Sequence, residues 1–186
     1  MNKSNAMTNA QTQAGFLMLE VLITIVILAL GLLGLAGLQA KIQTSETESY
    51  QRIQAILLLQ DMTNRLSSGR LNAGAFITNT PLGTGDTQPT TCGTLTGAPR
   101  DHCEWSQELK GAAEKQAGSS IGAMAGARGC VDLIAGSNPP VYRISVAWQG
   151  MTPLGTPSLP CGQDLYGAEG YRRVIAGYVP IANLSN

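Results

Sequence analysis

Residues 16–38 read FLMLEVLITIVILALGLLGLAGL, and among them only Glu20 and Thr24 are clearly polar. As an α-helix at about 1.5 Å per residue, the run spans roughly 34 Å, enough to cross a hydrocarbon core of about 30 Å. The segment is therefore expected to enter a membrane. A cleavable secretory signal has a shorter apolar region followed by small residues of the A-x-A kind, whereas this run is long and ends in LAGLQAKIQ. Charge does not set its orientation, because one lysine flanks the run on each side, Lys3 before it and Lys41 after it.

Glu20 is the anomaly in this run. An acid deep in a membrane helix costs about 2.5 to 3.5 kcal/mol, and less near an end. Four residues inside the run, its carboxylate either snorkels to the headgroups or is kept for a cation. Cleavage after Gly15 would supply one: the new α-amine of Phe16, with a reference pKa of about 7.7 to 8.0, is protonated at neutral pH. It would then pair with Glu20 of a neighbouring chain.

Gly15-Phe16 followed by Leu17, Met18, Leu19, Glu20 and Val21 resembles the class III signal of type IV prepilins and pseudopilins. The continuation ILALGLLGLAGLQ, from Ile27 to Gln39, is similar to PilV-type minor pilins. The resemblance covers residues 16 to about 66 and is confined to scattered pieces beyond. It implies that a membrane-embedded prepilin peptidase cuts between Gly15 and Phe16 on the cytoplasmic side and methylates the Phe16 amine. It also implies that Glu20 neutralises that amine on an adjacent subunit during assembly. Residues 1–15 would be the leader, with Lys3 its single basic residue, or a shorter leader if Met7 is the start. Major pilins typically carry Pro where this sequence has Gly37, so Gly31, Gly34 and Gly37 take over the middle of the helix. Three glycines at steps of three either permit close helix packing or loosen the helix outside lipid.

The rest of the composition fits one modest domain beside one extended element. Twelve basic residues balance twelve acidic ones, which speaks against capture of nucleic acid or of an acidic surface. Only 13% of residues are charged and 22 are Gly, a loop-rich balance unlike that of an ordinary cytosolic enzyme.

Residues 39–68 contain no Pro or Gly, and their apolar residues keep helical spacing. Tyr50, Ile53 and Leu57 form one stripe, which Ile56, Leu59, Met62 and Leu66 extend. This predicts an amphipathic continuation, closed by Gly69, that buries the stripe on the domain that follows. Residues 71–100 have loop composition. Asp101 is expected to cap a short helix over residues 103–117. Residues 141–148 alternate Tyr142, Ile144, Val146 and Trp148 against Val141, Arg143, Ser145 and Ala147, and residues 130–134 and 171–179 have similar character. The expected fold is α+β: a long helix with a transmembrane half (residues 16–38) and an amphipathic half (residues 39–68), packed on a small antiparallel sheet within a globular domain (residues 69–186).

Cys92, Cys103, Cys130 and Cys161 all lie beyond the apolar run, where an oxidising compartment would let them pair. Three connectivities exist. We favour Cys92 with Cys103, clamping loop to short helix, and Cys130 with Cys161, closing the connection 151–170 onto the sheet. Zinc is disfavoured, because there is no C-x-x-C and His102 is the sole histidine. A nucleophile would have to recruit that histidine beside a disulfide cysteine. No phosphate-cradling or dinucleotide pattern appears. Asp132 and Asp164 suit solvated or capping roles, and Trp105 and Trp148 suit a core or subunit interface. No catalytic residue, metal or cofactor is expected.

Taken with the resemblance, these features predict a scarce pilus subunit that helps prime assembly, with motility, adhesion or DNA uptake downstream. Its partners would be the prepilin peptidase, other minor and major pilins and the inner-membrane assembly platform. Its domain would be periplasmic before assembly and at the cell surface after. A minor pseudopilin of a type II secretion system shares these features, and a membrane-tethered periplasmic binding domain is the alternative from a different class.

Overall fold

The computed structural model describes residues 13–112, 115–116, 119–120 and 124–182. The chain divides into two compact units between Glu46 and Thr47. One helix, α1 (Gln13–Ser68), contributes to both.

In the first unit the side chains of residues 18–43 are all exposed. A helix with leucine, isoleucine and valine on every side cannot be at rest in water. This one is long and apolar enough to cross a membrane. Its one hydroxyl in the run is satisfied locally, with Thr24 Oγ1 donating to the Val21 carbonyl at 2.8 Å.

In the second unit the later part of α1 packs on a four-stranded antiparallel sheet. After α1 a 3-10 turn (Arg70–Phe76) leads to β1 (Leu82–Gly83) and α2 (Ala98–Leu109). A separate two-stranded pair follows, β2 (Lys115–Gln116) with β3 (Ser119–Ser120). The sheet is completed by β4 (Arg128–Leu133), β5 (Val141–Gln149) and β6 (Arg172–Pro180), in the order β1-β4-β5-β6. Leu133 pairs with Tyr142 across β4–β5, and Val141 with Pro180 across β5–β6. The fold is thus α+β, a long N-terminal apolar helix on a small antiparallel sheet.

The period-two pattern of β5 sends Tyr142, Ile144, Val146 and Trp148 into one core with Ala55, Met62 and Leu66 of α1 and Trp105 and Leu109 of α2. Trp105 is the keystone of that core. Its ring lies against β4 where Gly129 leaves room, and its Nε1–H donates to the Leu58 carbonyl of α1 at 2.9 Å. The opposite face of β5 is not left to water. Ala147 is buried there in a second, smaller cluster with Cys130, Cys161 and Tyr166.

Several expectations are corrected. The stripe of α1 that meets the sheet is Gln51, Ala55, Met62 and Leu66, with Leu58 and Leu59 half-buried; Tyr50, Ile53, Ile56 and Leu57 point away and are exposed. At about 100° per residue Tyr50, Ile53 and Leu57 fall on the side of the helix opposite Ala55, Met62 and Leu66, so one sheet cannot cover both sets. The short helix begins at Ala98 and ends at Leu109 instead of spanning 103–117. Gly97 at φ 61 and Pro99 start it, Gly111 at φ 78 follows its end, and Asp101 sits in its first turn facing Arg65 instead of capping. Residues 113, 114 and 117 of the expected helix lie outside the described residues. The expected loop 71–100 is anchored by buried Ala73, Phe76 and Leu82.

Candidate assembly interface

Of the candidate residues in the first unit, Lys3 and Met7 lie outside the described residues, as do the side chains of Gly15 and Phe16. Glu20 is exposed on α1, along with the apolar residues around it. A Cβ built on Gly31, Gly34 or Gly37 meets no atom within 4 Å, so the glycine face is open along its length.

In the second unit α1 carries two apolar faces. One lies on the sheet. The other consists of Tyr50, Ile53 and Leu57, exposed at 48%, 56% and 57%, and its spacing of three and four makes a single stripe. A surface helix of a water-soluble domain would place polar side chains there.

Glu48 ties the start of this unit's helix to the far end of the sheet. Its Oε1 accepts the backbone N–H of Met151 at 3.1 Å, the hydroxyl of Thr152 at 3.3 Å and Nη2 of Arg173 at 3.2 Å. Partial burial works against the charge, but the Met151 amide and the Arg173 guanidinium win and hold the Glu48 carboxyl below the usual range. Nearby, Arg172 is 2% exposed and fastens the long β5–β6 connection from inside. It donates to the carbonyls of Pro157, Leu159 and Cys161 and to the Glu169 carboxylate. A guanidinium so enclosed stabilises the loop only because its donors find acceptors.

At the other end, Arg65 binds α1 to α2. Nε reaches Asp61 at 2.6 Å, Nη1 reaches Glu104 at 2.7 Å and Asp101 at 3.3 Å, and Nη2 reaches Glu108 at 3.0 Å. Four carboxylates around one guanidinium are more than it can neutralise. Burial and the neighbouring Asp61 push the Glu108 carboxyl up to about 7, whereas Arg65 and Arg100 hold Glu104 low. Asp86, buried under α2, accepts from Ser106, Lys110 and the Gly83 amide; these outweigh burial and keep it ionised.

The disulfides are Cys92–Cys103 and Cys130–Cys161, the favoured pairing. The first holds the loop before α2 to that helix; the second closes the β5–β6 connection onto β4. Candidates for chemistry are engaged otherwise. His102 Nε2 donates to the Phe76 carbonyl at 3.0 Å, and burial lowers its pKa so that the ring stays neutral. Asp132 pairs with Arg143 at 3.0 Å, while Asp164 occupies a left-handed turn at φ 61. Trp105 and Trp148 are both buried in the core.

Sequence reasoning missed the Arg65, Glu48 and Arg172 contacts. Only the local pairs, Asp61–Arg65 four apart and Glu169–Arg172 three apart, were open to it. The remaining contacts join residues farther apart in the chain.

The geometry defines an α+β domain borne by a helix long and apolar enough to cross a membrane. No family model, curated protein or solved structure matches the chain.

Proposed function

We propose that this chain is a minor subunit of a type IV pilus, made as a prepilin, cut between Gly15 and Phe16, and inserted by α1 into a bundle of like helices. The observation that carries the reading is the second apolar face of α1. Tyr50, Ile53 and Leu57 turn away from their own domain, and residues 18–43 have no cover of their own. Lipid can cover the apolar run before assembly, and neighbouring subunits can cover both surfaces afterwards. The acidic Glu20 near the cut fits the same picture, since an adjacent Phe16 amine would offset its charge in a setting where a lone carboxylate is costly.

In this reading the domain lies on the periplasmic side before assembly and at the cell surface after it. The disulfides Cys92–Cys103 and Cys130–Cys161 suit both places. The chain acts by assembly, with the prepilin peptidase, other pilins and the inner-membrane platform as partners and no catalysis of its own. Mass spectrometry of the N-terminal peptide from peptidase-positive cells is the test. The expected species begins at N-methylated Phe16; a chain retaining its leader there would overturn the proposal.

A further inference from the structure

The two edges of the main sheet are finished differently. On the β4 side, β1 pairs with Arg128 and Gly129, and Thr78 continues the cover by exchanging bonds with Val131 through its amide and hydroxyl. On the other side β6 is the last strand, nine residues long.

The ladder determines which groups of β6 look outward. The Gly150 amide donates to the Tyr171 carbonyl at 2.7 Å and the Ile181 amide to Pro140 at 2.8 Å, so these are hydrogen-bonded positions. In an antiparallel pair such positions alternate. Stepping by two through the register, Arg173, Ile175, Gly177 and Val179 therefore direct N–H and C=O toward β5. Val174, Ala176 and Tyr178 direct theirs to the open edge. Pro180 falls in the same outward set, where its missing N–H costs the β5 ladder nothing.

Among the described residues no backbone or side-chain group bonds the outward amides or carbonyls of Val174, Ala176 and Tyr178. Apart from Pro180 at its end, the usual defences of an edge are also missing there. The stretch from Val174 to Val179 is uncharged. The nearest charges are occupied, Arg172 by Glu169 and carbonyls, and Arg173 by Glu48. A long, regular, uncharged edge is a template for another strand.

We infer that the outer edge of β6 accepts an extended, uncharged strand from a different polypeptide, which completes the sheet as its fifth strand. Three alternate residues supply the backbone bonds, and the exposed ring of Tyr178 favours a β-branched or aromatic neighbour on the added strand. Pairing with a second β6 is less well matched. Centred on Ala176, it sets each Pro180 opposite the other copy's Arg172 and leaves that carbonyl without a donor. The inference stands apart from the filament reading, because it concerns the folded domain whether or not the leader is cut.

The test is amide hydrogen exchange by NMR on the full chain in detergent micelles. The probe is an eight-residue peptide of alternating threonine and valine, acetylated and amidated. With a dissociation constant of about 1 mM, 2 mM peptide slows exchange about threefold by mass action. Slowing is expected at Val174, Ala176 and Tyr178, with Ile175 and Gly177 unchanged. The same peptide N-methylated at every internal amide, unable to donate from either edge, is expected to have no effect. Ala176→Pro removes one outward donor and spares the β5 ladder, so it is expected to abolish the response while exchange in β4 and β5 stays as before. Unchanged exchange at the three amides, or equal protection by the N-methylated peptide, would overturn the inference. So would protection without peptide that grows with protein concentration, which would assign the edge to a second copy.

Discussion

Replacing both Ile53 and Leu57 by Ser tests whether the outer face of α1 is a subunit contact. Burying a whole leucine or isoleucine side chain stabilises by about 1.5 to 3 kcal/mol. With 56% and 57% of these residues exposed, roughly half of that remains available to a neighbour, about 1 kcal/mol or slightly more at each site. The double variant should therefore lose about 2 to 3 kcal/mol of assembly free energy, a factor of about 30 to 150. Because neither side chain enters the sheet-facing core, the fold should lose less, about 1 kcal/mol in all. The assay compares the share of the protein in sheared filaments with the share left in the membrane, alongside urea unfolding of the detergent-solubilised chain. Undiminished entry into filaments, with expression matched, would refute the argument. So would a fold loss as large as the assembly loss, because it would mean that this face is part of the core.

Other outcomes follow from single contacts. Gly129→Ala sets a Cβ 2.1 Å from the Trp105 ring, which the Leu58 hydrogen bond holds in place, so a loss of about 2 to 3 kcal/mol is expected in urea unfolding. A loss under about 0.5 kcal/mol would show that the indole moves freely. Glu108 is protonated more readily in the fold than in the unfolded chain, so its stabilising contribution is complete below pH about 4.5 and is lost as pH rises through about 7. At a side chain 35% exposed, screening reduces the corresponding free energy to about 1 to 2 kcal/mol. Glu108→Gln should remove that decline and be the more stable protein at pH 8, as measured by unfolding midpoints at pH 5 and pH 8. Glu20→Leu should leave the chain in the membrane while lowering surface piliation; pili in normal number would remove the case for that carboxylate.

The sequence by itself determined the elements whose signal is local. The apolar run, the helical spacing through Leu66 and the stop at Gly69 were legible because a helix satisfies its own backbone and needs only near neighbours. The alternation of β5 identified its core face in the same way, since the side-chain direction repeats every two residues. The proposed junction at Gly15-Phe16 and the proposed role of Glu20 rest on a resemblance in the sequence alone.

Tertiary structure decided which side of α1 meets the sheet. Tyr50, Ile53 and Leu57 are as apolar as Met62 and Leu66, and periodicity records apolar faces without saying what covers each of them. It also decided where α2 begins, since Gly97 and Pro99 outweigh the capping promise of Asp101 once that carboxylate turns to Arg65. The long-range contacts of Glu48, Arg65 and Arg172, and the open edge of β6, depend on residues brought together across long separations. Charge and strand pairing act through space, so no local spacing in the chain could announce them.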